Sequence, residues 1–337
     1  MRSLKEWISL FFKNDKNPKA VLVRVDAGRT FGLSFGHVSR CIMIAGVLQK
    51  EYGSEIMFLM RDFPDGINHV GRYGYKVKKL PVPPGREERE SIMVAIKEYQ
   101  PDMMIIDVPY KNIDTSYFSK LKEQGMNIVF IDDSRFINPD VNVLLNSNIL
   151  APERMQKIIN QEHKNTRFLL GIDYFIFDDS LLDKTSKSKN VAYNVLITLG
   201  GGDPTLLTPK VLKALLGEDW PGHVFTIILG PGYPDPNEIE TLIGGSKKQY
   251  NVVINPANLI PLLQRCDFAI CAGGRTMYEL LYLKKDFFPI ASVEHEAEAI
   301  LEFNRRGIIK VGLTSWDPNA FISNIKDLLL DCSDFQK

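Results

Sequence analysis

The sequence predicts an α/β protein built as two parallel-sheet domains in succession. Three observations carry this. Continuous apolar runs alternate with segments whose apolar residues recur at helical spacing. The alternation stops at a polar, lysine-rich stretch and then starts again. The 337 residues are also more than one ordinary core accommodates.

Strands that are apolar along their whole length belong in a sheet covered by helices on both faces. In the first half such strands are expected at Ala20–Val25, Glu55–Met60, Lys76–Leu80, Met103–Asp107, Ile128–Asp132 and Val141–Asn146, with a short one at Phe168–Leu170. Helices are expected at His37–Tyr52, Pro64–Arg72, Arg86–Tyr99 and Ser116–Gln124. Asp178 to Asn190 has no apolar period and reads as a linker. The domains are therefore set at 1–180 and 191–317, with a linker over 181–190 and a closing amphipathic helix within 318–337.

The second half repeats the pattern. Asn194–Leu199, Val224–Leu229, Asn251–Ile254, Phe268–Cys271 and Phe287–Ile290 read as strands. Helices are expected at Thr205–Leu216, Asn237–Leu242, Leu259–Cys266, Thr276–Leu283 and Glu296–Arg306, with Pro204 near the first turn of the first. Two such units in series are expected to leave a cleft between them, a preferred place for a ligand.

Lysine plus arginine and aspartate plus glutamate number 41 each, so no global charge draws the chain to nucleic acid or acidic membranes. Any anionic ligand must be held by local groups. Cys41, Cys266, Cys271 and Cys332 lack metal spacing and read as small core residues of a reducing compartment. No metal and no cofactor are assigned. With neither a signal peptide nor an apolar run of about 18 residues, a cytoplasmic protein is expected. The apolar start Trp7–Phe12 has three uses open to it: docking on the body, pairing with another subunit, or touching a membrane surface. Docking is the preferred reading. The oligomeric state is not legible.

The most informative motif is Phe31-Gly32-Leu33-Ser34-Phe35-Gly36-His37-Val38-Ser39-Arg40. It joins the carboxyl end of a strand to the amino end of a helix, where open α/β sheets bind ligands. His37 at that joint suits general-base chemistry. The alternative is a helix-start histidine in a tight turn. Two glycine-rich loops follow strands in the second half: Gly200-Gly201-Gly202-Asp203 and Gly273-Gly274-Arg275-Thr276. Glycine admits phosphate close to backbone N–H groups, and the helix start behind adds its dipole. Neither loop fits a Rossmann or P-loop pattern, and packing of a tight turn is the competing explanation. Glu279 suits a pair of ribose hydroxyls, or simply a helix N-terminus. Arg275 is either a diphosphate partner or a solvated charge. Asp107 and Asp132-Asp133 end strands on the same side and could orient a sugar or bind magnesium, though such aspartates more often cap the following turn.

The ordered set of motifs is similar to the UDP-sugar hydrolase family of pseudaminic acid biosynthesis. The wider group includes spore-coat polysaccharide proteins and has the glycosyltransferase-B architecture. The matching residues are Arg24-Val25-Asp26-Ala27-Gly28, Gly36-His37-Val38-Ser39-Arg40-Cys41, Ile105-Ile106-Asp107, Phe130-Ile131-Asp132-Asp133, Leu170-Gly171-Ile172-Asp173-Tyr174, Leu199-Gly200-Gly201-Gly202-Asp203 and Ala272-Gly273-Gly274-Arg275-Thr276-Met277-Tyr278-Glu279-Leu280. The resemblance implies metal-free release of UDP from a modified amino sugar by water. His37 would be the base. Asp26, Gly36, Arg40, Asp107 and Tyr110 would line the sugar side. Gly200, Gly201, Gly202, Gly273, Gly274, Arg275, Thr276, Glu279 and His295 would hold the nucleotide. The segment from Asp26 to Gly36 is two residues longer than the family's usual spacing. Asp107-Val108-Pro109-Tyr110 replaces Asp-His-Tyr, and Glu294-His295-Glu296 replaces Asn-Gln. A glycosyltransferase and a nucleotide-sugar binding protein without turnover are the alternatives.

Overall fold

The computed structural model describes residues 4–12, 17–28, 33, 35–81, 86–108, 115–133, 136–159, 165–182, 192–244 and 249–330. The chain forms two compact units, residues 1–179 and 180–337. The first contains β1 (Ala20–Val25), β2 (Glu55–Arg61), β3 (Lys76–Leu80), β4 (Met103–Asp107), β5 (Asn127–Ile131), β6 (Val143–Asn146) and β7 (Arg167–Leu170). They lie in the order β3-β2-β1-β4-β5-β6-β7, all parallel. Its helices are α1 (Leu4–Ile8), α2 (Phe35–Tyr52), α3 (Pro64–Gly71), α4 (Arg86–Tyr99), α5 (Thr115–Lys122) and α6 (Ala151–Gln156).

β1 explains the layering. Val21, Val23 and Val25 enter a core shared with Val38, Cys41 and Ala45 of α2. Leu22 enters another with Ile92 of α4 and Phe118 of α5. A period of two thus divides one strand between two dry faces, which requires helices on both sides. The strand order reverses between β1 and β4, where the register pairs Val25 with Asp107. The carboxyl ends of these two strands flank the crevice in which such sheets bind ligands.

The second unit holds β8 (Tyr193–Thr198), β9 (His223–Leu229), β10 (Tyr250–Ile254), β11 (Phe268–Ala272) and β12 (Asp286–Ile290), parallel in the order β10-β9-β8-β11-β12. Its reversal falls between β8 and β11, with Thr198 beside Cys271. The helices are α7 (Leu207–Leu216), α8 (Pro236–Ile243), α9 (Ile260–Arg265), α10 (Arg275–Tyr282), α11 (Glu294–Arg305) and α12 (Pro318–Leu330). Phe321, Ile325 and Leu329, four apart on α12, enter the same core as Val195 and Ile197.

Several boundaries differ from expectation by a few residues, and α6 was not expected; three differences have clear local reasons. α2 begins at Phe35, so Gly36 and His37 lie within its first turn. α7 begins at Leu207, because the Asp203 carboxylate accepts the N–H groups of Leu207 and Thr208 at 2.8 and 2.7 Å and so fixes the first turn beyond Pro204. α1 is an addition. Five residues are too few for a self-sustaining helix; burial of Trp7, Ile8 and Phe11 holds it. Trp7 meets Tyr174 edge-on at 4.9 Å, and the Leu4 amide donates to Asp179 at 3.0 Å. The large apolar side chains of residues 7–12 belong to the core or pack against it, which is the docking reading. Among the described residues, no helix is long and apolar enough to cross a membrane. Residues 183–190 of the expected linker, Cys332 and the chain beyond 330 lie outside the described residues. Cys41, Cys266 and Cys271 are buried free thiols.

Candidate active site

His37 stands on the first turn of α2, with its side chain 24% exposed. Its Nδ1 lies 2.7 Å from Oδ1 of Asp107, the last residue of β4. Asp107 is fully buried. Burial would raise its carboxyl, but the Arg40 guanidinium and then His37 overcome this and hold it well below the usual carboxylate range. An ionised carboxylate only accepts, so Nδ1 carries the proton and Nε2 presents a lone pair. Arg40 Nη2 also approaches Nδ1, at 3.1 Å, but in this tautomer both are donors and the carboxylate takes the bond.

Arg40 follows His37 by three residues and therefore shares its helix face. Its Nε and Nη2 grip Asp107 at 2.5 and 2.7 Å, a two-pronged contact. Its Nη1 donates to Oδ2 of Asp133, just past β5. Burial opposes the guanidinium charge, yet Asp107 and Asp133 raise its pKa well above the usual value. Asp133 is held low by Arg40 against the effect of burial. The Asp133 Oδ1 accepts from Ser147 Oγ at 3.0 Å and Ser147 N at 3.3 Å. Cys41 adds a weak thiol donor to Asp107 at 3.6 Å, and burial together with Asp107 pushes that thiol up.

Two expectations are corrected here. Asp107 and Arg40 do not offer side-chain atoms to a sugar: they are 0% and 7% exposed and bonded to one another, to His37 and to Asp133. Asp26 is corrected likewise. It is fully buried, taking the Arg61 N–H at 2.7 Å and pairing with Arg24 at 2.7 Å. Glu88 of α4 completes this cluster, bonded to Arg24 at 2.9 Å and to Arg61 at 2.8 Å. The cluster ties the ends of β1 and β2 to α4. Tyr110, and most of the loop from Arg29 to Ser34, lie outside the described residues.

In the second unit the loops after β8 and β11 flank the sheet's reversal point. Gly200 is exposed with φ +94°, a conformation only glycine adopts freely. The Gly201 carbonyl accepts from Gly232 N at 2.8 Å, and half-buried Gly202 leads into Asp203. Gly273 and Gly274 face α11: a Cβ on Gly273 would lie 2.9 Å from Glu296 Cβ and from Ile300 Cδ1. The close approach of α11 is therefore one reason for these glycines. Arg275 is the first residue of α10, not a loop residue, and its Nε pairs with Glu279 Oε1 at 2.9 Å. Thr276 follows, half-buried. Glu294 and His295 are exposed at the start of α11. Glu296 turns inward, where its Oε2 accepts Ser292 N and Oγ at 2.8 and 2.7 Å.

The sequence reading noted Asp133 but not its bond to Arg40, and missed Ser147, Glu88 and Arg61. The i, i+3 spacing of His37 and Arg40, with acids ending the neighbouring strands, was the available signal. Among the described residues no group of three His, Cys, Asp or Glu side chains could hold a metal ion.

No family model matches the chain. An uncharacterised protein of Methanocaldococcus jannaschii is 29% identical over 262 residues, which are 74% of this chain and 51% of that protein. The chain thus corresponds to about half of that relative. The spore coat polysaccharide biosynthesis protein SpsG of Bacillus subtilis is 25% identical over 288 residues, 84% of this chain and 80% of SpsG. A Helicobacter pylori protein named pseudaminic acid cytidylyltransferase and UDP-2,4-diacetamido-2,4,6-trideoxy-beta-L-altropyranose hydrolase is 24% identical over 202 residues, 59% of this chain and 36% of that protein. Solved structures agree on the fold. Acinetobacter baumannii MurG superposes with a TM-score of 0.60 at 12% identity, covering 92% of this chain and 91% of MurG. Anabaena HepE, in complex with UDP-glucose, gives 0.58 at 13% identity, covering 93% and 90%. The architecture is glycosyltransferase-B.

Proposed function

We propose that this chain hydrolyses a UDP-linked acetamido-deoxy sugar, releasing UDP and the free sugar. The observation that carries the reading is the His37–Asp107 bond of 2.7 Å, which leaves Nε2 as the acceptor of a partly exposed ring at the β1–β4 reversal point. In the reaction, water attacks the anomeric carbon while Nε2 takes its proton. The bond between the anomeric carbon and the diphosphate oxygen breaks, and its electron pair leaves with UDP. His37 then returns the proton to solvent.

Charge supports this assignment. With His37 neutral, Arg40, Asp107 and Asp133 sum to −1. That field favours the positive charge that develops on the sugar and on His37, and repels a diphosphate. The nucleotide is assigned to the second unit. There Gly200–Gly202 and Gly274 offer N–H groups to the phosphates, whereas the Gly273 N–H is taken by the Ile290 carbonyl at 3.1 Å and Gly273 serves the close approach of α11. Arg275 and Thr276 flank them, and His295 is exposed at the start of α11; Glu279, 6% exposed and paired with Arg275, would take the ribose hydroxyls by exchanging that partner.

The test is UDP release by the purified chain from a panel of UDP-acetamido sugars, with and without candidate acceptors. Acceptor-independent release that disappears in His37→Ala is expected. Release only upon adding an acceptor would make the protein a transferase, with the same base acting on an acceptor hydroxyl. UDP binding without turnover of any sugar would leave a binding protein.

A further inference from the structure

In the cluster around His37, the polar atoms are unequally committed. Asp107 is fully buried and accepts from His37, Arg40 and Cys41. Every nitrogen of the Arg40 guanidinium is bonded. Two side chains retain both exposure and acceptor capacity: His37, 24% exposed, and Asp133, 29% exposed. They approach the two terminal nitrogens of one guanidinium, His37 at Nη2 and Asp133 at Nη1. Asp133 is also immobilised. Ser147 fixes one carboxylate oxygen, Arg40 the other, and Asn148 Nδ2 donates to its main-chain carbonyl at 3.2 Å. An ionised carboxylate has about four acceptor directions, and the named bonds leave capacity on the exposed side.

We propose that Asp133 accepts a hydrogen bond from the sugar substituent next to the anomeric carbon, so that the substrate carries an O–H or N–H there. This rests on the assignment of His37 to the anomeric carbon. Of the two ring atoms bonded to that carbon, one is the ring oxygen, which has no donor. The other bears the 2-substituent. A fixed carboxylate one guanidinium away from the base is matched to that substituent. A site built to accept a hydrogen bond discriminates strongly against an analogue that lacks the donor.

The experiment uses the full chain and three probes: UDP, UDP-glucose and UDP-2-deoxy-2-fluoroglucose, whose fluorine cannot donate. Dissociation constants are measured by calorimetry for the wild type, Asp133→Asn and Ser147→Ala. The wild type is expected to prefer UDP-glucose over the fluoro sugar by on the order of tenfold or more. Asp133→Asn should erase most of that preference and leave UDP affinity unchanged. Ser147→Ala, which only loosens the carboxylate, should reduce the preference in part and guards against a misfolded Asp133 variant. Equal binding of the two sugars by the wild type would overturn the proposal, as would undiminished discrimination in both variants. Absence of UDP binding to the wild type would instead sink the nucleotide-sugar reading itself.

Discussion

Glu296 stands where a side chain on Gly274 would go: a Cβ there would lie 2.8 Å from Glu296 Oε1. At Gly273 the obstruction is deeper, with Glu296 Cβ and Ile300 Cδ1 both at 2.9 Å and the Glu296 carbonyl at 3.3 Å. The end of a carboxylate can swing away; a helix cannot. Gly273→Ala should therefore cost about 1–3 kcal/mol through overpacking, and Gly274→Ala distinctly less. Denaturant unfolding of the two variants decides the matter, and equal costs would refute the argument.

Asp107 is fully buried and holds His37 by a 2.7 Å bond, so under the proposed function it positions the base. Asp107→Asn should lower the rate of UDP release by about 10²–10⁴-fold, the range by which a misplaced general base is felt. The affinity for UDP should be unaffected. His37→Ala should behave in the same way. If Asp107→Asn weakened UDP binding and left turnover intact, the carboxylate would belong to the ligand and not to the base.

Acid should loosen the first unit. Asp107 and Asp133 are held below the ordinary carboxylate range in the fold and return to about 3.9 when the chain unfolds. The unfolded chain then binds more protons, so stability is complete above about pH 5 and falls as the pH drops through 4 and below. Melting temperature recorded from pH 6 to 3 should show this slope, and it should flatten in Asp107→Asn. A melting temperature that rises on acidification would contradict the sign.

The Arg24–Asp26–Arg61–Glu88 cluster is fully or almost fully buried. Glu88→Leu would leave two guanidinium groups short of a partner and should cost about 3–5 kcal/mol. Arg24→Met with Glu88→Leu should cost less than Glu88→Leu alone, since burying charge is itself expensive. Urea unfolding of the single and double variants tests this. Strict additivity would deny the coupling.

Element type was legible wherever apolar period was strong, as in β1, β4 and α2, because burial on one or two faces leaves its period in the sequence. Helix starts were less so. The start of α7 depends on what the Asp203 side chain does, and α1 exists only because a core receives Trp7 and Ile8. Within the site, a histidine beside a strand end could be picked out from its position alone. That Arg40, Asp107 and Asp26 turn inward could not, since it is decided by which charges meet across β1, β2, β4 and α4. Glu296 carried a similar ambiguity: the order of residues does not say whether an acid faces a ligand or caps Ser292.

The bond between Leu4 and Asp179 has a topological consequence. The polypeptide enters and leaves the first unit at one neck, as a purse is drawn shut by its string. A protein fused ahead of Leu4 would emerge beside the junction with residue 180. A new start cut elsewhere in the unit, with the neck bridged by a short peptide, would leave its order of strands intact in space.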